Sequence, residues 1–110
     1  MGSQSSFGAG KYLLLAFVDV PKHQERAFND WYDYDHIPKI CSCPGFLGAR
    51  RFVAIEGEPR FLAVYDLATP DALATPEFQA TRGWGPFATD VSNFARGLYE
   101  EISRYEGSRK

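Results

Sequence analysis

YLLLAFVDVPKHQERAFNDWYDYDHIPKI, residues 12–40, changes its hydrophobic period partway along. From Tyr12 to Asp19 almost every position is Leu, Ala, Phe or Val, in a run too short for a helix of this kind. It predicts a strand with two apolar faces, Leu13, Leu15 and Phe17 on one side and Tyr12, Leu14, Ala16 and Val18 on the other. Val20-Pro21 then stops the strand and can open a helix, because the fixed φ of proline suits a first helical position. Beyond it Ala27, Phe28, Trp31 and Tyr32, with Tyr34 nearby, recur at three- and four-residue steps, so a helix is predicted over residues 22–36. Pro38 disfavours a helical Ile37 and sets the expected end near His36.

The rest of the chain extends this pattern. Pro44-Gly45 turns into a second strand, residues 46–55, and Glu56-Gly57-Glu58-Pro59 turns back into a third, residues 60–67. A second helical region is expected over residues 70–80 after Thr69. Gly and Pro in residues 82–86 interrupt it before a short turn near 87–91, and a fourth strand follows over 94–105. The order βαββαβ predicts an α+β, ferredoxin-like fold, with a four-stranded antiparallel sheet and both helices on one face. Helices cover only that face, so the other, equally apolar, is expected to meet a second copy in a homodimer through the sheet.

With 110 residues the chain holds one domain, expected over residues 11–105, between a flexible Gly/Ser-rich head, MGSQSSFGAG (residues 1–10), and a flexible tail (residues 106–110). A formal net charge of −2 and a pI near 5.6 argue against a nucleic-acid partner. The longest apolar run, residues 13–18, is far too short for a membrane span, and no basic segment precedes a signal-type stretch, so a cytoplasmic location is expected. Cys41 and Cys43, one residue apart, read as thiols, and with two histidines they repeat no ligand spacing, so no metal is expected. GxGxxG, a phosphate loop, GxSxG and HExxH are all absent, and no cofactor is expected. Any catalysis is then restricted to proton transfer or electrostatic steering by a few groups.

His36 is the leading candidate for such a group, because its pKa lies near neutrality and it shares a helix face with Phe28 and Tyr32. A helix C-terminal cap is its competing, purely structural role. Tyr32 could donate a phenolic hydrogen bond from that face. Asp33 and Asp35 point about 200° apart on a helix and read as solvated charges. Of Arg50 and Arg51, which face opposite sides of their strand, one could fork onto a carboxylate or enolate oxygen. Arg96 and the acids Asp19 and Asp66 are candidates for structural ion pairs. The 15% aromatic content exceeds the needs of so small a core, and its clustering around helix one suggests a lined cavity.

The stretch Asn29-Asp30-Trp31-Tyr32-Asp33-Tyr34-Asp35-His36-Ile37-Pro38, with Pro44-Gly45-Phe46, Arg50-Arg51-Phe52 and Tyr65-Asp66-Leu67, resembles the dimeric α/β-barrel superfamily near its EthD-like and muconolactone-isomerase-like groups. The resemblance implies ferredoxin-like protomers paired through their sheets, each with a pocket between sheet and helices. Methylmuconolactone isomerases are similar in placing a pocket histidine eight residues before a Pro-Gly turn, as His36 stands to Pro44. Their strand-two tyrosine is replaced here by Ala49, so Tyr32, Tyr65 or Tyr99 would have to substitute.

The expected function is therefore a cofactor-independent isomerase, cyclase or lyase acting on a small aromatic, lactone or polyketide-like substrate. His36 serves as acid/base, Tyr32 and Tyr65 orient oxygen, Arg51 holds negative charge, and Phe17, Phe28, Trp31 and Trp84 form apolar walls. The alternatives are a non-catalytic EthD-like accessory or small-molecule-binding dimer, and a haem- or quinol-directed monooxygenase.

Overall fold

The computed structural model describes residues 11–108. The expected flexible head, residues 1–10, and the last two residues of the expected tail lie outside them. Four strands, β1 (Tyr12–Asp19), β2 (Phe46–Val53), β3 (Phe61–Leu67) and β4 (Ser92–Glu100), form one antiparallel sheet in the order β2-β3-β1-β4. The helical segments pack on one face, in the ferredoxin-like arrangement that the element order predicts. β4 ends at Glu100 rather than Tyr105, and residues 101–108 carry no regular secondary structure.

The two-sidedness of β1 is visible in its burial. Leu14, Ala16 and Val18 are buried beneath the helices, together with Phe61, Ala63, Tyr65 and Leu67 of β3. Leu13, Leu15 and Phe17 face the other way and stay half-exposed, in register with Asp66, Val64 and Leu62. At one end of the sheet the Asp19 carboxylate accepts from the Arg60 backbone N–H (2.6 Å) and from Asn93 Nδ2 (2.8 Å), tying β1 to the start of both neighbours.

The sheet is open. β2 pairs only with β3 and β4 only with β1, so no strand-to-strand contact closes the described chain into a barrel. This corrects the barrel part of the fold expectation: closure would require β2 and β4 to pair, and in this order they are the two edges, separated by β3 and β1.

Helix one departs from the expectation in a way that shapes the site. A 3-10 turn (Lys22–Gln24) leads into α1 (Glu25–Trp31), which widens into a π-helical turn (Tyr32–His36) and continues as α2 (Ile37–Cys41). The segment passes through Pro38 instead of ending before it. The Ile37 N–H reaches back five residues to the Tyr32 carbonyl, and the widened turn relieves the clash that a proline ring makes in a regular α-helix. Pro38 then occupies the first turn of α2, where its missing donor costs little.

The second helical region is much smaller than helix one: a 3-10 turn (Pro70–Ala74), capped by Thr69, and α3 (Pro76–Gln79), whose Phe78 N–H is capped by the Thr75 hydroxyl at 3.1 Å. A further 3-10 turn (Gly85–Phe87) follows the Gly/Pro stretch. So little helix leaves β4 uncovered even on the helical side, where Phe94 is 51% and Leu98 45% exposed.

Candidate functional site

The incomplete helical cover leaves a cavity of about 520 Å³ over the middle of the sheet. Its floor is Leu14 and Ala16 of β1 and Tyr65 of β3, and the exposed Phe94 and Arg96 of edge strand β4 border it. Tyr32, His36 and Ile40 form the wall on the helix-one side, and Phe78 with the segment from Thr81 to Trp84 completes the lining, Trp84 packing beside Tyr32 and His36. Its lining includes no Asp or Glu.

His36 is held by rings. Its imidazole stacks on Trp31 (centroids 4.5 Å apart, planes at 17°), meets Tyr32 edge-on at 5.2 Å, and has Trp84 at 6.1 Å. It is only 8% exposed, and that remaining surface opens on the cavity. Burial disfavours the imidazolium and lowers the pKa from 6.5 to about 4, against an opposing pull from Asp35 and with a smaller lowering by Lys39. Near neutrality the ring is therefore an uncharged donor and acceptor. It caps no helix end, because the helical segment runs on to Cys41.

Beside it, the Tyr65 hydroxyl donates to the Tyr32 oxygen at 3.3 Å, both residues being almost fully buried. That direction leaves the Tyr32 proton available to an acceptor in the cavity. Burial raises the pKa of both phenols, so neither ionises near neutral pH; in Tyr32 the bond from Tyr65 and the charge of Arg51 oppose that rise.

Arg51 does not line the cavity. Its guanidinium lies over the Tyr32 ring at 4.3 Å and donates to Asn29 Oδ1 (2.7 Å) and Asp33 Oδ1 (3.0 Å). The expected anion-holding arginine is thus committed to a structural fork that fixes the back of Tyr32, and Asp33 is its partner instead of a merely solvated charge. Phe17 lies on the opposite face of the sheet, by strand alternation with the cavity residues Leu14 and Ala16. Phe28 is fully buried in the core, 5.4 Å from both Tyr32 and Phe87, and Trp31 sits behind His36. His36, Tyr32, Tyr65 and Trp84 are brought together; Phe17, Phe28, Trp31 and Arg51 stand outside the lining.

Sequence reasoning missed the cavity roles of Arg82 and Phe94 and treated Arg96 as a structural ion-pair candidate. Arg96 could have been placed, since it pairs with Ala16 and so shares the helical face. His36 is the imidazole in the cavity, and among the described residues no three His, Cys, Asp or Glu side chains gather into a metal-binding cluster. No helix among those residues is long and apolar enough to cross a membrane.

No protein-family model matches the chain, and a search of the curated proteins finds no match. Solved structures do share its fold. An EthD family protein from Bacillus halodurans superposes with a TM-score of 0.64 at 19% identity, covering 83% of this chain and 98% of that one. MhuD, a heme-degrader from Mycobacterium tuberculosis with two hemes in its active site, gives 0.65 at 17% identity over 86% and 99%. SnoaB, a cofactor-independent oxygenase from Streptomyces nogalater solved as a mutant, gives 0.61 at 12% over 92% and 100%. At such identities the likeness establishes a common ferredoxin-like fold.

Proposed function

We propose that the chain binds a small, flat, oxygen-bearing organic molecule of aromatic, lactone or polyketide type in the cavity beside His36. The observation that carries this reading is the pairing of a ring-lined cavity of about 520 Å³ with an uncharged imidazole and a phenol whose proton is free to donate. Such a site recognises a carbonyl or hydroxyl without a buried charge. A conjugate-acid pKa of about 4 makes His36 a weak general base near neutrality, which favours the EthD-like, small-molecule-binding reading over the acid/base isomerase.

A second, catalytic reading rests on the Tyr65–Tyr32 hydroxyl pair and the open face of His36. An acidic enol or phenol seated there would find a proton acceptor in the imidazole and a donor for its oxygen in Tyr32. The fold's occurrence in a cofactor-independent oxygenase and in a heme-degrader supports keeping turnover in the test. The same proposal includes a homodimer through the outer face of the sheet, supported by its half-exposed Leu13, Leu15, Phe17, Leu62 and Val64.

Both tryptophans flank His36, so their emission reports on the cavity. Titration with 2-naphthol and with 1,8-dihydroxyanthraquinone should quench it saturably, and His36→Ala should weaken the binding at least fivefold. Absence of saturable, His36-dependent quenching with both probes overturns the binding reading. Mass analysis of the recovered probe separates binding from turnover.

A further inference from the structure

We infer that Arg82 and Arg96 form an anion-selecting rim, so that the molecule taken by the cavity is a carboxylate with its acid group at that rim. This deepens the binding reading and rests on it. The two arginines line the cavity from two adjoining elements: Arg96 from edge strand β4, on the helical face in register with Ala16, and Arg82 from the segment after α3, whose Trp84 packs on Phe94 of β4. Both are exposed, whereas His36, Tyr32 and Tyr65 are buried, so the site runs from an uncharged polar interior to a cationic rim.

Among the described residues no acid answers these two charges. The lining contains no carboxylate, and among the described residues neither arginine forms a salt bridge; the hydrogen bond of Arg82 goes to the neutral Gln79 amide at 3.3 Å. Arg51, Arg60 and Arg104, by contrast, each pair with an acid. Two uncompensated guanidiniums beside a ring-lined cavity, on a chain of net charge −2, concentrate positive potential where a ligand enters. Planar forks at the rim suit a carboxylate on an aromatic frame whose other end carries the oxygen met by Tyr32.

The test compares 6-hydroxy-2-naphthoate with its neutral counterpart 6-hydroxy-2-naphthamide by isothermal titration calorimetry on the full chain. The acid should bind at least fivefold more tightly, and that advantage should shrink with added salt while the affinity of the amide does not. Arg96→Gln and Arg82→Gln, both at exposed positions, should each weaken binding of the acid more than that of the amide and so reduce the advantage. Equal affinity for acid and amide overturns the rim and leaves the binding reading standing. An advantage that survives both substitutions together places the anion site elsewhere and overturns the rim as well. Failure of both compounds to bind, while 2-naphthol also fails, overturns the binding reading and the rim with it.

Discussion

At the scale of single residues, the uncharged state of His36 has a consequence for stability. In the folded chain the imidazole titrates at about 4, against 6.5 for the free side chain. Above pH 6.5 both states hold it neutral and it contributes no pH dependence. Between 6.5 and 4 the unfolded chain takes up a proton that the folded chain refuses, so stability falls as pH falls, by at most about 3 kcal/mol, and levels off below 4. Urea unfolding at pH 7 and pH 4.5 should show this loss in the wild type, and His36→Phe should remove that part of it. A wild-type His36 resonance titrating near 6.5 would contradict the burial argument. The two phenols are unequal as well. Tyr32→Phe strands the buried Tyr65 hydroxyl without its acceptor and should cost about 1–2 kcal/mol, whereas Tyr65→Phe removes one bond and should cost less, about 1 kcal/mol. Urea melts that reverse the order would place the donor on the other ring.

At the scale of elements, the turns before and after β2 offer a comparison between two glycines in the left-handed region. Gly45 has φ +88°, and an added Cβ there would lie 2.7 Å from the Cβ of Ala72; Gly57 has φ +99° with open space around it. Gly57→Ala should therefore cost about 1 kcal/mol from backbone strain alone, and Gly45→Ala about 2–3 kcal/mol, since the 3-10 turn beneath must also shift. Equal melting temperatures for the two variants would show that Ala72 yields freely. The elements also differ in how legible they were. Strands β1 and β3 follow from short, almost continuously apolar runs, whose two faces the fold then separates by burial: in β1, Leu14, Ala16 and Val18 are covered and Leu13, Leu15 and Phe17 are not. The shape of helix one was not legible: Pro38 is a stop signal in a regular α-helix, and only the extra width of the π turn lets the chain pass it. The site was legible where neighbours on one element sufficed, as for Tyr32 and His36. It failed where a face had to be chosen across strands, which misplaced Phe17, and where a competing partner decided the outcome, as Asp33 and Asn29 did for Arg51.

At the scale of the molecule, the outer face of the sheet is an apolar surface that the helices leave uncovered. Half-exposed Leu15, Phe17, Leu62 and Val64 adjoin Phe52, which is 40% exposed. A dimer through this face should sediment at twice the chain mass, and Phe17→Lys should return it to the monomer while leaving cavity binding in place, because Phe17 lies across the sheet from His36. A wild-type chain that sediments as a monomer at tens of micromolar would end the dimer proposal. Face-to-face pairing would still leave the two rims of the sheet bare. β4 offers nine residues of backbone along one of them, Ser92–Glu100, with a free row of amide and carbonyl groups. Such a row is a template for further strands, and aggregation is the hazard it carries. Its safeguards are the register irregularity opposite Phe17 and Asp19, where Asn93 adopts φ 55°, and the charges of Arg96 and Glu100. Neutralising those charges should therefore shorten the shelf life of a concentrated solution before it alters the melting temperature of a dilute one.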